Sequence, residues 1–134
     1  MRPATLIVLF AASVLGHAAV RAHHAFATEF DVDRPVEFEG TVTKVELINP
    51  HSWIHVEVVG EDGEAVVWMI EGGSPNALVR RGITRNSIPI GSELFIRGYQ
   101  ARDRSNRAVG RDMRFADGRE LFFQGTPTPN PSAE

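Results

Sequence analysis

From Val36 to Ile48 apolar and polar residues alternate, and partway along the alternation changes sides. Val36, Phe38, Gly40 and Val42 share one parity, whereas Val45 and Leu47 carry the apolar face on the other. Side chains of a strand point alternately to its two faces. One continuous strand can therefore keep both sets inside only if a bulge or sharp coil falls near Thr43 and Lys44. Gly40 lets such a strand bend. A long, coiled first strand is what a small sheet needs in order to close on itself.

The segments that follow fit that frame. Asn49-Pro50 breaks the run, because proline removes a ladder donor and restricts its predecessor. Ser52 to Val59 reads as a second strand, Glu61 to Glu64 as a turn with Asp62-Gly63 at its tip, and Ala65 to Glu71 as a third strand. A short helix comes next. Ser74 is its N-cap, Pro75 its first position, Arg80 and Arg81 its last turn and Gly82 its stop. Glu93 to Arg102 and Ala108 to Phe115 make two more strands, with a short apolar piece at Leu121 to Phe123 after the Asp117-Gly118 turn. Residues 25–35 read as an ordered arm or edge before the domain proper.

Three strands, a helix and two strands is the order of an OB-fold-like, five-stranded all-β barrel. An open sandwich, or a sheet with one packed helix, is the alternative. No internal repeat is visible.

The ends of the chain carry a different message. Arg2, the apolar run Leu6 to Leu15 and the small-residue close at Ala22 make residues 1–22 a secretory signal. That run is short of the about 20 residues a membrane span needs, so no stable span is expected after cleavage. The expected product is a periplasmic or secreted domain of residues 23–125 with a disordered tail, 126–134, that has nothing to bury. There is no cysteine, which excludes disulfides and thiolate metal sites.

Charge is divided unevenly along the chain. From His23 to Ser74 there are eleven acids and two bases; from Pro75 onward there are ten bases and six acids. The first half favours a cation and the second can face an anion or pair with the first. A net-acidic exported domain lacks the positive footprint of a nucleic-acid binder.

Candidate sites follow from histidines and aromatics. A cut before His23 frees an α-amine, of pKa about 8, next to an imidazole. Together they chelate one divalent ion, and a nitrogen-rich set favours copper. His24 can add a nitrogen. A cut after Val20 places His23 third, an arrangement that also binds copper through backbone amides. Otherwise the doublet is a solvated chance pair at a chain end. His51 lies on the loop and His55 on the next strand, about 13 Å away if extended, so His51 is the better partner for the terminal histidines. Its alternative role is a loop-fixing hydrogen bond to the backbone.

Trp53, Trp68 and Tyr99 can form a ligand-binding face on the barrel or simply pack it. Glu29, Asp31 and Asp33 can add an oxygen ligand, but they lack the turn and terminal glutamate of a calcium loop. The small residues before Ser74 match no phosphate loop. No nucleophile elbow or HExxH appears, so no catalytic residue is assigned.

The HHAF start, EFD at 29–31, GTVTKVELINPHSW at 40–53, SPNALVRRGI at 74–83 and ADGREL at 116–121 resemble a family of small exported bacterial proteins of unknown function. The resemblance implies export, an OB-like β domain, and His23, His24, Asn49, Pro50 and His51 as motif positions. It brings no catalytic residues. A tryptophan that members often carry before the INPH motif is Leu47 here, which puts an aromatic cover over that site in question.

The expectation is thus a binding module with copper or another divalent metal at His23, His24 and His51. A metal-free module that binds a partner protein or small ligand through Trp53, Trp68 and Tyr99 is the rival. A copper-dependent oxidase is third.

Overall fold

The computed structural model describes residues 28–123. The expected signal segment 1–22, the His23-His24 doublet and the expected tail 126–134 lie outside them. Five strands make up most of this region: β1 (Phe30–Glu46), β2 (Trp53–Val59), β3 (Ala65–Glu71), β4 (Glu93–Ala101) and β5 (Arg107–Phe115). A short helix, α1 (Pro75–Arg80), and a 3₁₀ turn (Arg85–Ser87) connect β3 to β4. The sheet closes in a ring in the order β1-β2-β3-β5-β4. All neighbours are antiparallel except β3 and β5, which run parallel.

β1 starts at Phe30, earlier than its alternation suggests. The expected arm is drawn into the ladder because Phe30 stands opposite Ala101 and Pro35 opposite Tyr99, with an irregular stretch between. The predicted bulge is present: Val42 pairs with Val56 and Lys44 with His55, so Thr43 is the extra residue. It lets Val42 and Val45 both enter the core.

Inside the ring, Ile54, Val56, Ile70, Leu94, Ile96 and Met113 pack together. Leu78 of α1 and Ile88 after the 3₁₀ turn are fully buried within the same cluster. α1 holds its place through both caps. The Ser74 side chain accepts from the Ala77 N–H, and Gly82 adopts φ +78°. The Gly82 N–H donates to Val79 and the Ile83 N–H to Leu78, the paired bonds of a Schellman close. The apolar piece after β5 also docks. The Leu121 N–H donates to the Met113 carbonyl, and Leu121 and Phe123 are buried. Among the described residues no helix is long and apolar enough to cross a membrane.

The turn of the ring between β4 and β5 depends on close backbone approach. The register shifts between Arg97 and Gly98, and a Cβ on Gly98 would overlap the Val109 carbonyl oxygen. Backbone cannot give way as a side chain can. Gly98→Ala should therefore cost about 2 kcal/mol or more of stability, read as a lower urea midpoint with unchanged m-value.

Candidate functional site

The strand pairings define an outer row across the sheet. Glu46 stands opposite Trp53, Trp53 opposite Glu71, Glu71 opposite Val109 and Val109 opposite Tyr99. Ile54 and Val56 on the other parity are fully buried in the ring, so this row lies on the outside. The start of the described chain lies over it: Phe30 forms a small cluster with Ala101 and Val109, with Tyr99 against it. The Arg102 N–H anchors this segment by donating to the Glu29 carbonyl.

His51 reaches this row from the loop after β1. Its Nδ1 bonds the Glu71 carboxylate. The two side chains differ sharply in exposure, 48% for His51 and 8% for Glu71. The loop is braced where they meet. The Ser52 N–H donates to the Gly73 carbonyl, the Gly72 N–H to Ser52, and the Gly73 N–H to Phe123. Phe123 lies so close to Gly72 that a Cβ there would overlap its ring. The Ser52 side chain faces the buried side, and its hydroxyl has no hydrogen-bond partner among the described residues.

Burial pushes the Glu71 pKa up, against the lowering pull of His51; the nearby Glu29 charge raises it further. Arg107 links the same neighbourhood, with Nη1 3.4 Å from Glu29 and Nη2 3.0 Å from Asp103. The arrangement is a half-exposed imidazole, fixed at one ring nitrogen by a buried carboxylate, beside the entry of the N-terminal segment.

His55 belongs to a different group. Its Nε2 lies 2.7 Å from Glu46, which also pairs with Lys44 at 2.7 Å. Lys44, then His55, hold the Glu46 carboxyl below its usual range. His51 and His55 thus use separate carboxylates, in keeping with the separation read from the sequence. The His51 bond goes to a side chain rather than to the backbone.

The three aromatics do not share one face. Trp53 lies on the outer row, whereas Trp68 is opposite the buried Val56 and packs on Phe38 with ring centroids 4.8 Å apart. Tyr99 is on the outer row but beyond Val109, and its hydroxyl accepts from Arg111 at 2.7 Å. Strand parity separates Trp53 from Trp68.

Glu71 is the residue that sequence reasoning missed at this site. The sequence marks it only as the end of the third strand. An acid closing an otherwise apolar run, AVVWMIE, was the available signal.

A family model described as a family of unknown function (DUF6152) matches residues 11–110. The chain belongs to this family. The match spans His23, His24, the Asn49-Pro50-His51 motif, Glu71 and α1, and stops before the ADGREL segment. No curated protein matches the chain.

Glu71 has a pH signature. Because its folded pKa is raised above 4.5, its contribution to stability is complete below that value and is lost as pH rises through the folded pKa. Glu71→Gln keeps an acceptor for His51 and removes the charge. The stability of this variant relative to wild type should grow with pH from about 4.5 upward, measured as the difference between their thermal midpoints.

Proposed function

We propose that the protein is an exported binding module, periplasmic or secreted, that holds a divalent metal ion, copper foremost, through a terminal histidine chelate completed by His51. One observation carries this reading: the His51 Nδ1 is tied to the buried Glu71 carboxylate. A carboxylate on one ring nitrogen is the customary outer partner of a histidine that ligates metal through the other. It fixes the tautomer and raises ligand basicity. His51 is thereby prepared to offer Nε2.

The position of the N-terminal segment supports the same reading. Glu29 is close enough to influence Glu71, and Thr28 is four residues beyond His24. An extended chain covers roughly 3.5 Å per residue, so the four residue steps from His24 to Thr28 allow a span of about 14 Å, which the proposed chelate would use to meet His51. No three His, Asp or Glu side chains cluster as a metal site among the described residues. The reading therefore takes one imidazole from His51 and its other nitrogens from the amine and imidazoles at His23 and His24.

We read the ring as an OB-type barrel. Its strand order, the parallel β3–β5 pairing, the coiled β1 and the helix between β3 and β4 support that assignment. His51 then sits in the loop between the first two strands, one of the two loops with which such barrels hold ligands.

The test has two parts. Intact mass of the exported protein should give His23 as its first residue. Copper titration followed by electron spin resonance should count three or more nitrogens, and Glu71→Gln should weaken binding about 10- to 100-fold. A mature chain that starts well upstream of Arg21 and holds no more copper than a His23→Ala, His51→Ala variant overturns the metal reading. The metal-free module then takes its place. Oxygen uptake with a reductant tests the oxidase variant.

A further inference from the structure

Among the described residues, one stretch of the ring has a free edge. β3 pairs with β2 along its whole length but with β5 only at Met69, Ile70 and Glu71. Among the described residues, Ala65 to Trp68 thus have no strand on their second side. The Met69 N–H points away from β2 to the Asn106 carbonyl. Residues of the same parity, Ala65 and Val67, direct their backbone groups the same way. Nothing guards this edge: the segment Ala65-Val66-Val67-Trp68 has no lysine, proline or other charge, the usual devices against strand addition. Val59, Val66 and Val67 are exposed around it.

The two ends of the edge carry opposite charge. At one end is the β2–β3 turn, with Glu61, Asp62 and Glu64, none of which has an ion-pair partner among the described residues. At the other is the β4–β5 loop, entered where Met69 meets Arg107. Its Arg104 is exposed, lies at φ +64° and has no acidic partner among the described residues. A two-fold axis through Val66 sets Ala65 of one copy against Val67 of the other. It lays the acidic turn of each copy against the basic loop of the other.

The geometry points to a symmetric dimer in which β3 of one copy adds antiparallel to β3 of a second copy, with the Glu61–Glu64 turn of each facing the Arg104 loop of its mate. The occupant is a second copy because the edge is self-complementary: apolar at its centre and opposite in charge at its ends. The interface is isologous, so each favourable contact occurs twice.

Sedimentation velocity of the exported protein, from low micromolar to near-millimolar concentration, tests this directly. The expected result is a mass that rises toward twice the monomer and falls back with added salt. Val67→Lys should hold the protein monomeric throughout while leaving its circular dichroism unchanged. Glu64→Arg and Arg104→Glu should each raise the dissociation constant about tenfold, since symmetry counts each reversed contact twice. The double variant should recover most of that loss. A monomer at every concentration overturns the dimer and leaves the edge to another occupant, such as residues 23–27 of the same chain. A dimer indifferent to Val67→Lys and to both charge reversals overturns the β3 interface.

Discussion

Thr41 stands opposite Glu57 on one side and Glu93 on the other. It marks the point where β1 passes from one ladder to the next. Before Thr41 the strand is bound chiefly to β4, and after it to β2, so one continuous strand closes the ring. The single extra residue at Thr43 makes this compatible with a dry interior. Without it, Val45 would turn outward and the core would forgo about 1.5 kcal/mol or more of burial. The other elements find their places relative to this strand: β2 and β3 as a hairpin against its second half, β4 and β5 against its first.

Much of this was legible because it is written in local chemistry. The parity switch located the bulge. The Ser74, Pro75 and Gly82 punctuation located α1, and Asp62-Gly63 located the hairpin. The β3 limits, Ala65 to Glu71, were read to the residue. Other features depend on contacts distant in the chain and have no local signal. The entry of Phe30 to Pro35 into β1 is settled by Ala101 and Tyr99. The docking of Leu121 and Phe123 is settled by Met113 and Gly73. The partition of Trp53 and Trp68 follows from parity, which reads clearly in β2 but is hidden in the uniformly apolar β3.

The candidate site was half legible. His51 stood out by its residue type and its place beside a chain break. Glu71 did not, since a lone acid at a strand end has many uses and only the fold brings it beneath an imidazole. The acidic first half of the chain and basic second half do meet across the ring, through Arg97 with Glu37, Arg102 with Asp31 and Arg107 with Glu29. Several charges take no part in that pairing, and those on the β2–β3 turn and at Arg104 lie at opposite ends of the same open edge.

The parallel junction of β3 with β5 is the shortest ladder in the ring, only Met69 to Glu71 against Arg107 to Val109. It also joins residues far apart in sequence, so little local structure holds its two sides together. Transient opening of the native state is concentrated where the fewest bonds must break, and here that is a three-residue seam. Glu71 is one of its members and the N-terminal segment lies across it. A ligand that fastened that segment to the His51 loop would therefore act as a clasp on the ring. A small local attachment would then govern how often the closed sheet breathes.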